Sequence, residues 1–152
     1  MVRWGFNLFP AFWGTGGRIT YLGEGYGEVD VEVPLSWRTR NYLGTIFGGS
    51  MYGALDGIHI VMLMKNLGPN YVVWDKAGSV RFRKPGRTTL YARVMLPLEE
   101  VDDIRAKLAP GEAIERAYLV HLTDRAGTVH ADVEKIVHIR RRAAPAIVDR
   151  GA

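Results

Sequence analysis

Hydrophobic and polar positions divide the chain into segments of two different periods. Val29, Val31, Val33 and Leu35 alternate with Asp30, Glu32 and Pro34, which predicts a half-buried strand over 28–35. From Phe47 to Met64 the only formal charge is Asp56, and Met51, Ala54, Leu55, Ile58 and Met62 keep helical spacing. This predicts one buried central helix, opened near Gly48-Gly49 and stopped by Gly68-Pro69-Asn70. Period two then returns at Gly78, Val80 and Phe82, and again at Leu90, Ala92, Val94 and Leu96. Two longer strands follow over about 113–123 and 128–140, joined through the turn Asp124-Arg125-Ala126-Gly127. Between them and the preceding pair, Leu98, Val101, Ile104 and Leu108 predict a short amphipathic helix closed by Pro110-Gly111.

One strand, one apolar helix and four further strands interrupted by a minor helix argue for an α+β fold. The antiparallel sheet would wrap around the single central helix. The expected organisation is one domain over 1–140, with 141–152 as a loose tail. The aromatics before it, Trp4, Phe6, Phe9, Phe12 and Trp13, are expected to cap the sheet rather than line a pocket.

Composition narrows the possible functions. A chain of 152 residues supports one core but not two ordinary domains. The net charge of +4 allows an anionic partner, yet basic residues are dispersed and Arg140-Arg141-Arg142 is the only dense run. That suits a phosphate-bearing small molecule, and no RNA-binding, zinc or helix-turn-helix pattern supports a nucleic-acid partner. With no cysteine, thiolate catalysis and disulfides are excluded. His59, His121, His130 and His138 are too dispersed to predict a metal site. The N-terminus lacks the clean apolar run of a signal peptide, so a cytoplasmic location is expected. The segment 47–64 just reaches membrane-spanning length, but an acid near its centre would be costly in lipid, so no membrane partner is expected.

The candidate chemistry sits on the central helix. Gly48 and Gly49 at its start leave unblocked N–H groups where the helix dipole is positive, a place for a polarised oxygen. Asp56 follows eight residues later, about 12 Å along a helix axis. One substrate carbonyl cannot touch both within one chain, but two antiparallel helices across a two-fold axis would bring the start of one to the acid of the other. Gly53 and Gly57 flank Asp56, and two helical glycines suggest close approach by a partner backbone or a ligand. The residues alone equally allow Asp56 to be a buried acid paired with a lysine or arginine for structure. Lys76 is either that partner or a ligand contact. Arg81, Arg83, Lys84 and Arg87 either meet phosphates or form a solvated strand face. Ser50 lacks the second glycine of a nucleophile elbow, and His59 reads as a satisfied core or interface histidine.

The spacing of Asn41, Gly44, Gly48-Gly49 and Asp56 resembles the motif of hotdog-fold thioesterases of the phenylacetate-degradation type. Phe9-Pro10, Gly14-Thr15-Gly16-Gly17-Arg18, Arg40-Asn41, Trp74-Asp75-Lys76 and Val80 to Gly86 are similar to a less characterised branch of that superfamily. The resemblance spans roughly residues 5–140. It implies a hotdog fold and hydrolysis of an acyl thioester such as acyl-CoA, with coenzyme A part of the substrate and no separate cofactor. It implies a homodimer, or a dimer of dimers. By position, Asp56 would be general base or nucleophile. Gly48 would supply the oxyanion N–H from the neighbouring subunit, and Asn41 would position water or substrate. Gly49, Phe47, Ile60, Lys76, Arg83 and Lys84 would contact substrate. Phe47 stands where better-known members have histidine, and Ile60 where one branch has a hydroxyl. Those two departures motivate the alternative of a non-catalytic module binding an acyl thioester or fatty ligand. An enoyl-thioester hydratase on the same fold would need an Asp/His pair that the sequence does not display.

Overall fold

The computed structural model describes residues 2–143, and side chains from residue 5 onward. Two short helices, α1 (Val2–Leu8) and α2 (Pro10–Thr15), precede β1 (Arg18–Leu22) and β2 (Glu28–Val33). The central helical segment consists of α3 (Gly48–Gly53) and α4 (Ile58–Leu67). Then come β3 (Tyr71–Phe82), β4 (Leu90–Met95), α5 (Leu98–Lys107), β5 (Ala113–Thr123) and β6 (Val129–Arg141). The strands form one six-stranded antiparallel sheet in the order β1-β2-β4-β5-β6-β3. This is the hotdog arrangement, a sheet curled around its central helix.

Alternation places the core. Val29, Val31 and Val33 from β2, Leu90, Ala92 and Val94 from β4, and Ala131, Val133, Val137 and Ile139 from β6 are buried. They meet Ile58, Met62, Leu63 and Leu67 of α4. Burying each such side chain favours folding by about 1.5–3 kcal/mol, so the apolar face of α4 is what holds the sheet's curl. Val101, Ile104 and Leu108 at α5 close one end of this core.

Four features differ from the sequence reading. The N-terminal segment contributes two helices and an additional strand. Asn7 pins them together, its Nδ2 donating to Ile19 O (3.0 Å) and its Oδ1 accepting from Ile19 N (2.8 Å). β3 begins at Tyr71, seven residues before the alternation that predicts it, because a β-bulge between Asp75 and Ala77 interrupts the period. The central helix is broken at residues 54–57. Leu55 N donates to Tyr52 O and Asp56 N to Gly53 O, the tightened three-residue pattern of a helix end, and Gly57 turns left-handed at φ 74°. α4 then restarts from Gly57.

β6 runs on through Arg141, into the stretch expected to be tail. The rest of that prediction, from residue 144, lies outside the described residues. Among the described residues no helix is long and apolar enough to cross a membrane.

Candidate active site

The break in the helix determines where Asp56 sits. Closed by Gly57, the turn carries Asp56 out of any continuous helix, and its side chain is 55% exposed. Its partner is Lys135, whose side chain is 5% exposed at an inward position of β6 between Val133 and Val137. Lys135 Nζ donates to Asp56 Oδ1, to Tyr52 Oη (2.9 Å) and to Asp75 Oδ2 (3.0 Å). Burial alone would push this ammonium's pKa down; the hydrogen bonds to Asp56, Tyr52 and Asp75 outweigh that and hold it well above the ordinary lysine value.

Neighbouring residues make room for this cluster. The bulge at Lys76 sets Asp75 opposite Val137 and Gly78 opposite Lys135, so both face inward. A Cβ on Gly78 would lie 2.1 Å from Tyr52 Oη and 3.2 Å from Lys135 Cδ. Only glycine leaves the tyrosine and lysine in place.

Of the two readings of Lys76, the one that makes it the partner of Asp56 is overturned, since Lys135 fills that place. The Lys76 ammonium pairs with Glu115 on the exposed side of the sheet, away from Asp56, because Lys76 is the extra residue of the bulge.

Asp56 borders an open cavity of about 710 Å³ between the N-terminal cap and α4. Phe6, Phe9, Phe12, Ile60 and Val61 line its body. The N-terminal aromatics therefore do more than cap the sheet: Phe6, Phe9 and Phe12 form one wall of this trench, while the side chain of Trp4 lies outside the described residues. Phe6 and Phe12 meet edge to face at 5.5 Å. Thr15, also in the wall, has its hydroxyl committed to Phe12 O (2.7 Å) and to Gly17 N (3.1 Å). Gly53 lets that threonine approach, since a Cβ there would come within 2.9 Å of its methyl. What approaches Gly53 is thus Thr15 at the end of α2 of the same chain, not the partner backbone or ligand expected there, and Gly57 serves the left-handed turn.

Gly48 and Asn41 lie on a separate groove of about 330 Å³, with Phe82 and Lys84. Within one chain the structure does not bring them to the Asp56 trench. Gly48 opens α3 and packs on Phe82, whose ring would be 2.6 Å from an added Cβ. Gly49 is filled over by Phe47, which is 57% exposed. Asn41 organises its own loop: Oδ1 accepts from Leu43 N (2.9 Å) and Thr45 N (3.1 Å), and Nδ2 donates to Thr45 Oγ1 (3.0 Å). Arg83 also lines this groove and pairs with Asp132, with contacts of 2.7 Å and 2.6 Å, and His121 and Arg83 together hold that carboxyl below its usual range.

His59 is buried in α4 and stacks on Tyr118 at 4.3 Å. Burial lowers its pKa to about 4; a hydrogen bond to the Met95 backbone opposes the shift and Lys135 adds to it. It is a neutral core histidine at pH 7.

The sequence reading missed Lys135, Tyr52 and Asp75. The signal was present in β6, where the alternation Ala131, Val133, Lys135, Val137, Ile139 puts a lysine in the core register.

Solved structures share this architecture. A Pseudomonas aeruginosa protein described as of unknown function and a probable thioesterase superposes with a TM-score of 0.80 at 20% identity, covering 92% of this chain and 93% of its own. A Haemophilus influenzae thioesterase gives 0.67 at 14% identity, with 93% and 90% covered. A hypothetical thioesterase from Streptococcus pneumoniae, solved with coenzyme A, gives 0.59 at 16% identity, with 95% and 99% covered. At these identities the likeness establishes the fold. No curated protein matches the chain. The profile of the family described as a domain of unknown function, DUF4442, matches residues 1–139, and the chain belongs to that family.

Proposed function

We propose that this protein hydrolyses an acyl thioester, with acyl-CoA as the substrate class and Asp56 as the reactive carboxylate. The observation that carries the reading is Asp56 on the wall of a mostly apolar trench, whose lining holds one other charged side chain, Lys65. An acyl chain would lie against Phe6, Phe9, Phe12 and Ile60, with its carbonyl beside Asp56. Asp56 takes a proton from water as the water oxygen bonds to the carbonyl carbon. The tetrahedral oxyanion then collapses, the C–S bond breaks, and the proton passes from Asp56 to the departing thiolate, leaving acid and thiol.

The oxyanion donor of this reaction is Gly48 N–H, supplied by a second copy of the chain. Supporting this, the Gly48 groove and the Asp56 trench are separate within one chain, and β3 ends the sheet as a twelve-residue edge strand. Such an edge is ordinarily covered, and a two-fold partner pairing along it would cover both copies at once. In the same assembly Lys84, beside Gly48, would meet the phosphates of coenzyme A, and Asn41 would shape the loop at that entrance. The structural neighbours, a probable thioesterase and a hypothetical thioesterase holding coenzyme A among them, point the same way.

A second reading, a module that binds acyl thioesters without turnover, draws on the exposed Phe47 at the position of a histidine in better-known members. Asp56→Asn separates the two. Hydrolysis requires turnover in the wild type and its loss in a variant that still folds and binds acyl-CoA. Equal turnover in both proteins would refute the role of Asp56, and stoichiometric binding with no product from the wild type would select the second reading.

A further inference from the structure

We infer that Lys135 is the positioning residue for this reaction, tying one oxygen of Asp56 and leaving the other to act as an anion toward the trench. The inference rests on Asp56 being the reactive carboxylate. A lysine in the core register of a strand is costly to bury, and it persists only where its protons are all accepted. Here three acceptors converge on it from three elements: Asp56 beyond α3, Tyr52 on α3 and Asp75 on β3.

The two carboxylates differ in a way that a plain structural ion pair does not require. Asp75, 22% exposed on the adjoining strand, suffices to neutralise Lys135. Asp56 is more than half exposed and borders the cavity, yet the lysine reaches it as well. Two carboxylates around one ammonium leave one negative charge, and the exposed member of the pair is the one that faces substrate. The arrangement also depends on the bulge that turns Asp75 inward, the missing Cβ at Gly78 and the left-handed Gly57 that ends the Asp56 turn.

Lys65, on α4, lines the trench as a second cation, and two further titratable neighbours leave the carboxylate's charge in place. His59 of α4 is neutral above about pH 4. Tyr118, opposite Lys135 on β5, has its hydroxyl pKa pushed up by burial and by Glu100, so it stays protonated. Because Lys135 holds its proton far above neutrality, it acts as a fixed charge and does not protonate the leaving thiolate. That proton returns from Asp56.

The test compares wild type, Lys135→Met and Tyr52→Phe on an acyl-CoA that the wild type hydrolyses. Lys135→Met should lower kcat on the order of tenfold to a hundredfold, as loss of an orienting partner does elsewhere, with KM nearly unchanged. The acid limb of its kcat/KM profile should move to higher pH once the reactive carboxylate lacks its cationic partner. Tyr52→Phe removes one support of the lysine and should shift both quantities the same way, by less. A lysine that only holds the fold would lower the Tm and leave the pH profile of the folded protein where it was, and that result overturns the inference. If Lys135→Met does not fold, the profile of Tyr52→Phe decides alone, an unmoved acid limb counting against. Should the wild type hydrolyse no acyl-CoA, the thioesterase reading fails separately. The clamp itself is then read by NMR of the Lys135 ammonium: a solvent-protected signal that shifts and exchanges faster in Asp56→Asn supports it, and one indifferent to that substitution overturns it.

Discussion

Acidification from pH 7 to pH 5 should weaken the fold through His59, and the size of the effect follows from its burial. In the unfolded chain this imidazole protonates near 6.5, whereas under Tyr118 and near Lys135 its pKa is about 4. Between those values the unfolded state binds a proton that the folded state refuses, so stability falls as pH falls through this window. The full difference of 2.5 units corresponds to about 3 kcal/mol below pH 4, and about 2 kcal/mol of it accrues between pH 7 and pH 5. His59→Phe keeps a flat ring against Tyr118 and removes the titration. Urea denaturation of both proteins at pH 7 and pH 5 isolates the term, since other groups titrate in each. The wild type should lose about 2 kcal/mol more than the variant over that interval. Parallel losses in the two proteins would refute the claim that His59 is neutral in the core.

Two further substitutions probe the trench and its turn. Ile60→Trp fills the cavity beside Asp56 and should abolish hydrolysis of long acyl-CoAs while sparing short ones, read as kcat/KM across chain lengths; uniform loss would place the chain elsewhere. Gly57→Ala meets no neighbour, but its φ of 74° is strained for any side chain, so denaturation should show a loss of about 1–2 kcal/mol. An unchanged midpoint would mean that the turn relaxes without cost.

Much of the fold was legible because its strands bury one face. Alternation located β2, β4, β5 and β6 to within a few residues, and Leu98, Val101, Ile104 and Leu108 located α5. α1 and α2 escaped because seven and six residues rich in aromatics and glycine display no 3.6-residue stripe. The break at 54–57 escaped because helical spacing continues on both sides of it. Gly53 and Gly57 flagged the place, but a positive φ and a close neighbour look alike in a sequence. At the site, Asp56 was found by its isolation in an apolar run. Lys135 was not, since Glu134-Lys135-Ile136-Val137 blurs the alternation that would have marked it as inward-facing. Lys76 drew attention in its stead as a lysine in the strand beside the helix, and a bulge reverses faces in a way that period counting cannot follow. The separation of Gly48 from Asp56 was anticipated from helical rise alone, and in the structure the two line different cavities.

The most direct test of the account is thiol release from a panel of short, long and aromatic acyl-CoAs by the wild type, with Asp56→Asn alongside. Many turnovers are expected on at least one apolar acyl group, and none by the folded variant. Absence of release from every member of the panel, or release that survives in Asp56→Asn, would contradict it.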